Sequence, residues 1–139
     1  MDLKGNQFAN AITGNNGSNV IDGSFGNDTL TGLGGSDTFV FNTALDAGTN
    51  VDRIVDFSAG EDHIQLSISV FSAFASGIIG AGQFVIASAA ADADDHLIYD
   101  STTGQLSYDS DGNGGSGAIV FARLGSGLAL TLQDFLVVA

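Results

Sequence analysis

The sequence predicts an all-β protein: a short, right-handed parallel β-roll built on a nonapeptide repeat, capped by a β-rich C-terminal segment with one short helix. Three observations carry this reading. Large apolar residues recur every nine positions through the first third of the chain; glycine and Asn/Asp share that period; the remainder reads as short strands separated by turns. The expected organisation is a roll over residues 1–46 and a capping region over 47–139, packed as one domain. A chain of 139 residues can build one modest core.

The repeat is explicit. Leu3, Ile12, Ile21, Leu30 and Phe39 lie nine apart, and Asn10, Asn19, Asp28 and Asp37 each precede one of them by two residues. Gly5, Gly14, Gly23 and Gly32 open the four units, which read GNQFANAIT, GNNGSNVID, GSFGNDTLT and GLGGSDTFV. The first six residues of a unit, rich in Gly and Asn/Asp, suit a turn with positive φ. The last three suit a short strand whose middle residue points inward while its neighbours point out. Two units complete one coil, so turns eighteen residues apart stack: 5–10 under 23–28, and 14–19 under 32–37. Each stacked pair gathers side-chain and backbone oxygens, an oxygen-only cage that suits Ca²⁺ better than Mg²⁺. The competing structural reading is a metal-free solenoid, in which stacked carboxylates would repel one another.

Charge supports the cation. Sixteen acidic residues face three basic ones (Lys4, Arg53 and Arg123), a formal net charge of −13. Such a surface disfavours nucleic acid and anionic membranes, whose binding rests on Lys and Arg. Fifteen of the acids are Asp and only Glu61 is Glu. Asp suits turns and brings a hard oxygen close to backbone, as a Ca²⁺ loop requires. There is no Cys, which excludes disulfides, thiolate zinc sites and Cys nucleophiles. A small extracellular domain without disulfides needs another staple, and a metal serves.

The uncharged stretch from Ile64 to Ala91 is long enough to span a bilayer, but it contains Gly77, Gly80 and Gly82, two Gln and five Ser. It is expected to form a core helix, a glycine break and a buried strand, with no membrane span. Further on, LIYD and QLSYD read as a hairpin around the turn STTG, and GAIVFARL as a following strand. Between them, Asp109, Asp111, Asn113 and Gly114 match positions 1, 3, 5 and 6 of an EF-hand loop, although position 12 is Val120. A weaker calcium site is expected there, against the alternative of a plain Asx/Gly turn. The run Asp92, Asp94 and Asp95 is expected to be a solvated loop.

The units at Gly14, Gly23 and Gly32 resemble the calcium-binding repeat G-G-x-G-x-D-x-U-x of RTX proteins, and the unit at Gly5 resembles a degraded copy. The resemblance implies specific ligand sets. One site would use Asn15, Gly17 and Asn19 with Gly32, Gly34 and Asp37, beside Gly35. A second would use Asn6, Phe8 and Asn10 with Gly23, Phe25 and Asp28. A third would start from Ser24, Gly26 and Asp28 and be completed by Asp46 or a neighbour. Asn10 and Asn19 depart from the family's Asp, keeping an oxygen but losing a charge, so the strongest sites are expected around Asp28 and Asp37. The segment VDRIVDFSAGEDHIQLS (51–67) resembles the motif that follows the last nonapeptide in serralysin-like proteins. Asp62 aligns there with an acid that completes a terminal calcium site, with Asp52 and Asp56 as helpers. Ile54, Val55, Phe57 and Ile64 would cover the end of the roll. The C-terminal Asp134-Phe135-Leu136-Val137-Val138 resembles the uncleaved export signal of type I secretion substrates, and also reads as a last strand.

Catalytic motifs are absent from the sequence. His63 and His96 lie outside H-E-x-x-H, and no G-x-S-x-G or P-loop occurs. The expected function is therefore that of a non-catalytic, calcium-binding module of a larger secreted protein. It would be exported through type I machinery without a cleaved N-terminal signal, and would fold on calcium outside the cell. A second reading is a surface or glycan-binding module, with Tyr99, Tyr108 and Phe25 as candidate sugar platforms. A third, a small hydrolase, lacks a water-activating centre. The exposed strand edges of a short roll offer a route to dimers.

Overall fold

A computed structural model describes residues 1–77, 79–112 and 117–139. Among the described residues, twelve short strands form two sheets. They are β1 (Asp2–Lys4), β2 (Ala11–Thr13), β3 (Val20–Asp22), β4 (Thr29–Thr31), β5 (Thr38–Phe41), β6 (Asp52–Ile54), β7 (His63–Ser67), β8 (Phe84–Ile86), β9 (Leu97–Asp100), β10 (Gln105–Tyr108), β11 (Ile119–Arg123) and β12 (Phe135–Val138). One sheet has the order β1-β3-β5-β7-β12 and the other β2-β4-β6-β11-β10-β9-β8. Through the repeats, successive strands alternate between the sheets and pair in parallel two strands on, which is the β-roll.

The period of nine becomes packing in a direct way. Asp2–Lys4 lies in register with Val20–Asp22, and Val20–Asp22 with Thr38–Val40, so Leu3, Ile21 and Phe39 stack as one inward row. Ile64 and Phe135 extend that row through β7 and β12. Ile12, Leu30 and Ile54 form the matching row on the other sheet. Ile21, Leu30, Phe39 and Ile64 are fully buried, whereas Leu3 and Ile12 at the open end are only partly covered. The coil length is not constant. Between β5 and β6 an excursion raises the spacing of stacked residues from eighteen to twenty-four, and then to twenty-five at β7. Its ends are closed by an Asp46–Asn50 bridge and by the Asn50 side-chain amide, which donates to Thr43 Oγ1 and the Ala44 carbonyl.

The cap grows from the same sheets. β11 pairs in parallel with β6, and the β9–β10 hairpin, turning at 101–104, continues that sheet antiparallel. Aromatic rings knit the two parts together. Phe121 meets Phe41 of the roll edge-on at 5.1 Å and Phe71 at 5.0 Å; Phe71 meets Tyr108 at 5.1 Å.

Two expectations are corrected. The described residues of 64–91 form no α-helix: Ile64–Ser67 belongs to β7, turns follow, and Ala81–Gln83 is a single 3₁₀ turn. The cause is a period of two: Ile64 and Leu66 are buried while His63, Gln65 and Ser67 are half-buried, so the strand pattern governs. The only helical segments among the described residues are this turn and another at Leu132–Asp134. Val55 is half exposed and does not cover the core; Ile54, Phe57 and Ile64 do. No helix among the described residues is long and apolar enough to cross a membrane.

Phe121→Ala should remove the ring that joins roll to cap and cost about 3–5 kcal/mol, the usual range for a buried aromatic truncated to Ala. Guanidinium unfolding in saturating calcium should show the lower midpoint; a loss under about 1 kcal/mol would show the two parts to be packed independently.

Candidate metal centres

The sixth side chain of each turn holds the coil beneath it. The Asn10 amide donates to Asp28 Oδ1 at 2.6 Å and the Asp28 amide to Asp52 Oδ1 at 3.1 Å. On the opposite edge, the Asn19 amide donates to Asp37 Oδ1 at 2.8 Å and the Asp37 amide to Asp62 Oδ1 at 2.9 Å. Two columns result: Asn10–Asp28–Asp52 and Asn19–Asp37–Asp62. In the first coil the amide side chains close their own turns, Asn10 Oδ1 accepting from the Asn6 amide and Asn19 Oδ1 from the Asn15 amide.

The glycines opening each unit make room for these oxygens. A Cβ at Gly23 would strike Asp28 Oδ2 and come within 3.0 Å of Asp52 Oδ2; one at Gly32 would strike Asp37 Oδ2. At Gly5 and Gly14 the obstacles are the Asn10 and Asn19 Oδ1 atoms together with the Gly23 and Gly32 carbonyls of the stacked turn. Gly26 and Gly35, at φ of 104° and 90°, sit directly against the backbone of Phe8 and Gly17. Ser24 and Leu33 also adopt positive φ, 70° and 75°, a conformation that non-glycine residues rarely take.

Asp28 Oδ2 and Asp37 Oδ2 are buried and accept no hydrogen bond. A buried carboxylate oxygen without a donor is costly, and a cation removes that cost. The oxygens nearby are carboxylate, carboxamide and backbone carbonyl, the donor set of a hard cation. Among the described residues no three His, Cys, Asp or Glu side chains converge. A cation at either edge would therefore meet a pair of carboxylates, Asp28 with Asp52 or Asp37 with Asp62, and would have to draw its further ligands from carbonyls. Burial raises the pKa of Asp28, Asp52 and Asp62, and the carboxylate neighbours Asp28 and Asp37 push Asp52 and Asp62 further; Asp52 reaches about 7.

Most sequence-predicted ligands are brought together: Asn10, Gly23 and Asp28 at one edge, Asn19, Gly32, Asp37 and Asp62 at the other, with Gly17 beneath Gly35 and Gly26 above Phe8. Asn15 turns its carboxamide oxygen to Gly17 and Asn19 within its own turn, and Gly34 sits over Asn16. The Ser24 carbonyl accepts from Thr43 Oγ1. Asp46 does not complete the third site. It is exposed, and its Oδ1 accepts from the Gly48 and Thr49 amides, which also lower its pKa. Asp52 stands where Asp46 was expected. The signal was present: Asp52 and Asp62 precede Ile54 and Ile64 by two, as Asp28 precedes Leu30, but the longer excursion breaks the count of nine.

Other acids act as fasteners. Asp56 accepts from the Gly32 and Leu33 amides, and buried Asp134 from Gly60 and Thr131. Asp22 takes Lys4 at 3.0 Å and the Asn42 amide at 3.1 Å. Asp109 is buried and accepts from the Asp111 amide, with its pKa raised by burial and then by Asp111; Asn113 lies outside the described residues. Asp95 is not solvated but buried, accepting from Ala91 and Asp92, while Asp92 and Asp94 are exposed. Tyr99 and Tyr108 are core residues rather than sugar platforms: Tyr99 donates its hydroxyl to the Gly125 carbonyl, and the Tyr108 hydroxyl accepts from the Ala73 amide. Phe25 is exposed.

Alternating turns and strands, stacked acid columns and their glycine cradles define an RTX-type parallel β-roll. The chain belongs to the peptidase M10 serralysin C-terminal family, whose model matches residues 2–137. Among solved structures it is similar to the solution structure of the AlgE6R3 subunit from the Azotobacter vinelandii mannuronan C5-epimerase. That likeness has a TM-score of 0.57 at 22% identity and covers 97% of this chain and 77% of that one, a likeness of fold. No curated protein matches the sequence.

Asp52, the most strongly shifted of these carboxyls, should give the calcium-free protein a pH response. Its folded pKa of about 7 lies above the unfolded value of about 3.9, so between these values the folded state holds the extra proton. Stability in calcium-free buffer should therefore fall as pH rises from about 4 to about 7 and then level off. Thermal melts across that window should show the slope, and Asp52→Asn should lessen it, the remainder coming from Asp28, Asp62 and Asp109, and raise the melting temperature at neutral pH. A slope unchanged in the variant would place the titration elsewhere.

Proposed function

We propose that this chain is a calcium-binding folding module of a secreted protein, not itself catalytic, that acquires its roll when calcium joins the two carboxylate columns. The observation that carries the proposal is the pair of buried, unpartnered oxygens, Asp28 Oδ2 and Asp37 Oδ2. Each lies between stacked turns, so a cation there ties one coil to the next. Without it, a chain of net charge −13 meets repulsion along both columns as it closes. Binding free energy thereby becomes folding free energy. Saturating one site to about a hundred times its Kd supplies roughly 2.7 kcal/mol, and two such sites weigh heavily against a net stability on the order of 5–15 kcal/mol.

The same logic supports export through type I machinery. Where calcium is scarce the acidic chain stays open and can be threaded; outside the cell it closes. The C-terminal segment Asp134–Val138 would serve as export signal while unfolded. In the folded chain Phe135–Val138 is the edge strand β12, with Phe135 and Val137 buried, and Asp134 just before it accepts from the Gly60 amide.

Circular dichroism in chelator, then with calcium and with magnesium as control, tests this. A cooperative gain of β-signal is expected with calcium alone. Asp28→Ala and Asp37→Ala should each raise the half-saturating calcium at least about tenfold, roughly 1.4 kcal/mol per site. A chain equally folded and equally heat-stable in chelator would sink the proposal.

A further inference from the structure

The turns of the roll fall into two classes, and the second residue of each unit separates them. In the first coil Asn6 and Asn15 donate their backbone N–H to the sixth side chain of their own turn, Asn10 Oδ1 at 2.9 Å and Asn19 Oδ1 at 2.8 Å. In the second coil the equivalent residues are Ser24 and Leu33, and their N–H groups turn away from Asp28 and Asp37. Ser24 donates to Asp22 Oδ1 at 2.9 Å and Leu33 to Asp56 Oδ2 at 2.8 Å. Asp28 Oδ2 and Asp37 Oδ2 are the oxygens left without a donor.

The backbone is strained where this turning occurs. Ser24 and Leu33 have φ of 70° and 75°, and among the described residues no other non-glycine residue has a positive φ. A Cβ crowds the following carbonyl in that region, a clash that glycine avoids. A peptide plane is rigid, so swinging its N–H one way swings the preceding carbonyl the other. The Gly23 and Gly32 carbonyl oxygens accordingly lie against Gly5 and Gly14 of the first coil. One rotation thus frees a carboxylate oxygen and brings a carbonyl oxygen between stacked turns. Backbone strain persists where the surroundings enforce it, and it clusters at ligand clamps and switches.

We infer that Ser24 and Leu33 set the calcium threshold of the module, an inference that rests on the calcium-binding reading proposed above. Each turn of the second coil has two forms. In the closed form, built like the first coil, the N–H of residue 24 or 33 occupies the acid oxygen that a cation would need. In the open form that oxygen is free, and the side chain at 24 or 33 strains the backbone. Asp22 and Asp56 are positioning residues that hold the open form by accepting the displaced N–H groups. A site whose competent form is disfavoured binds more weakly in proportion. Calcium must therefore rise higher than glycine at these two positions would require, which keeps the acidic chain open where calcium is scarce.

The test is calcium titration of the full chain by circular dichroism, with the wild type run beside each variant. Ser24→Gly and Leu33→Gly should each lower the half-saturating calcium about twofold, and together about fivefold. The double variant should also melt at a higher temperature in saturating calcium. Ser24→Ala and Leu33→Ala keep a Cβ and should leave the midpoint where it is; Leu33 is half exposed, so little packing is lost. Asn6→Gly and Asn15→Gly, at the relaxed positions of the first coil, should leave the midpoint or raise it. An unshifted midpoint in the double glycine variant, an equal fall with alanine, or an equal fall with glycine in the first coil would overturn the inference and leave calcium-driven folding intact. A wild type whose fold does not respond to calcium would remove both.

Discussion

One hydrogen bond, repeated, organises this molecule: a backbone amide at the sixth position of a turn donates to a carboxylate one coil further along the chain. It fixes the height of each coil and the register of the strands that leave it. It also uses only one of the carboxylate's two oxygens. In the middle coil the other oxygen is left inside, without a donor, at Asp28 and Asp37. Roll geometry and the stranded carboxylate oxygens are therefore one constraint seen from two sides. The first coil escapes it, because Asn10 and Asn19 spend their side-chain oxygens on their own turns.

Burial and charge pull against each other along these columns. The apolar rows Leu3–Ile21–Phe39–Ile64–Phe135 and Ile12–Leu30–Ile54 favour closure. Closing them brings Asp28 against Asp52 and Asp37 against Asp62, and raises the pKa of Asp52 to about 7. Protons and a divalent cation would thus compete for the same carboxyls: acid relieves the repulsion without tying the coils together, and a cation would do both. The aromatic junction of Phe41, Phe121, Phe71 and Tyr108 adds a cap whose packing does not depend on those charges.

Much of this was legible in the sequence because the repeat is a strict physical code. A nine-residue period in both apolar and Asn/Asp positions leaves few foldings, and the stacking of turn 5–10 under 23–28 follows from it. Asp46 falls outside the carboxylate column because the excursion after β5 has its own turn chemistry, an Asx turn on Gly48 and Thr49 that resembles the repeat in composition but not in phase. The expected helix in 64–91 failed because an uncharged run has no polar punctuation from which to read a period beyond Ile64 and Leu66. The burial of Asp95, Tyr99 and Tyr108 depends on contacts across the cap that no local pattern encodes.

The excursion between β5 and β6 says something about how the roll tolerates change. Six extra residues enter one coil and another enters the next, yet Asp28 and Asp37 still find Asp52 and Asp62. Alignment is thus enforced by the amide-to-carboxylate contact and not by counting residues, much as a spiral binding holds pages of unequal width. Closing a longer loop costs only about 0.6 kcal/mol per doubling of its length. The roll can therefore host an inserted segment at this corner without losing its pitch, which makes residues 43–49 the natural doorway through which the scaffold gains new surface.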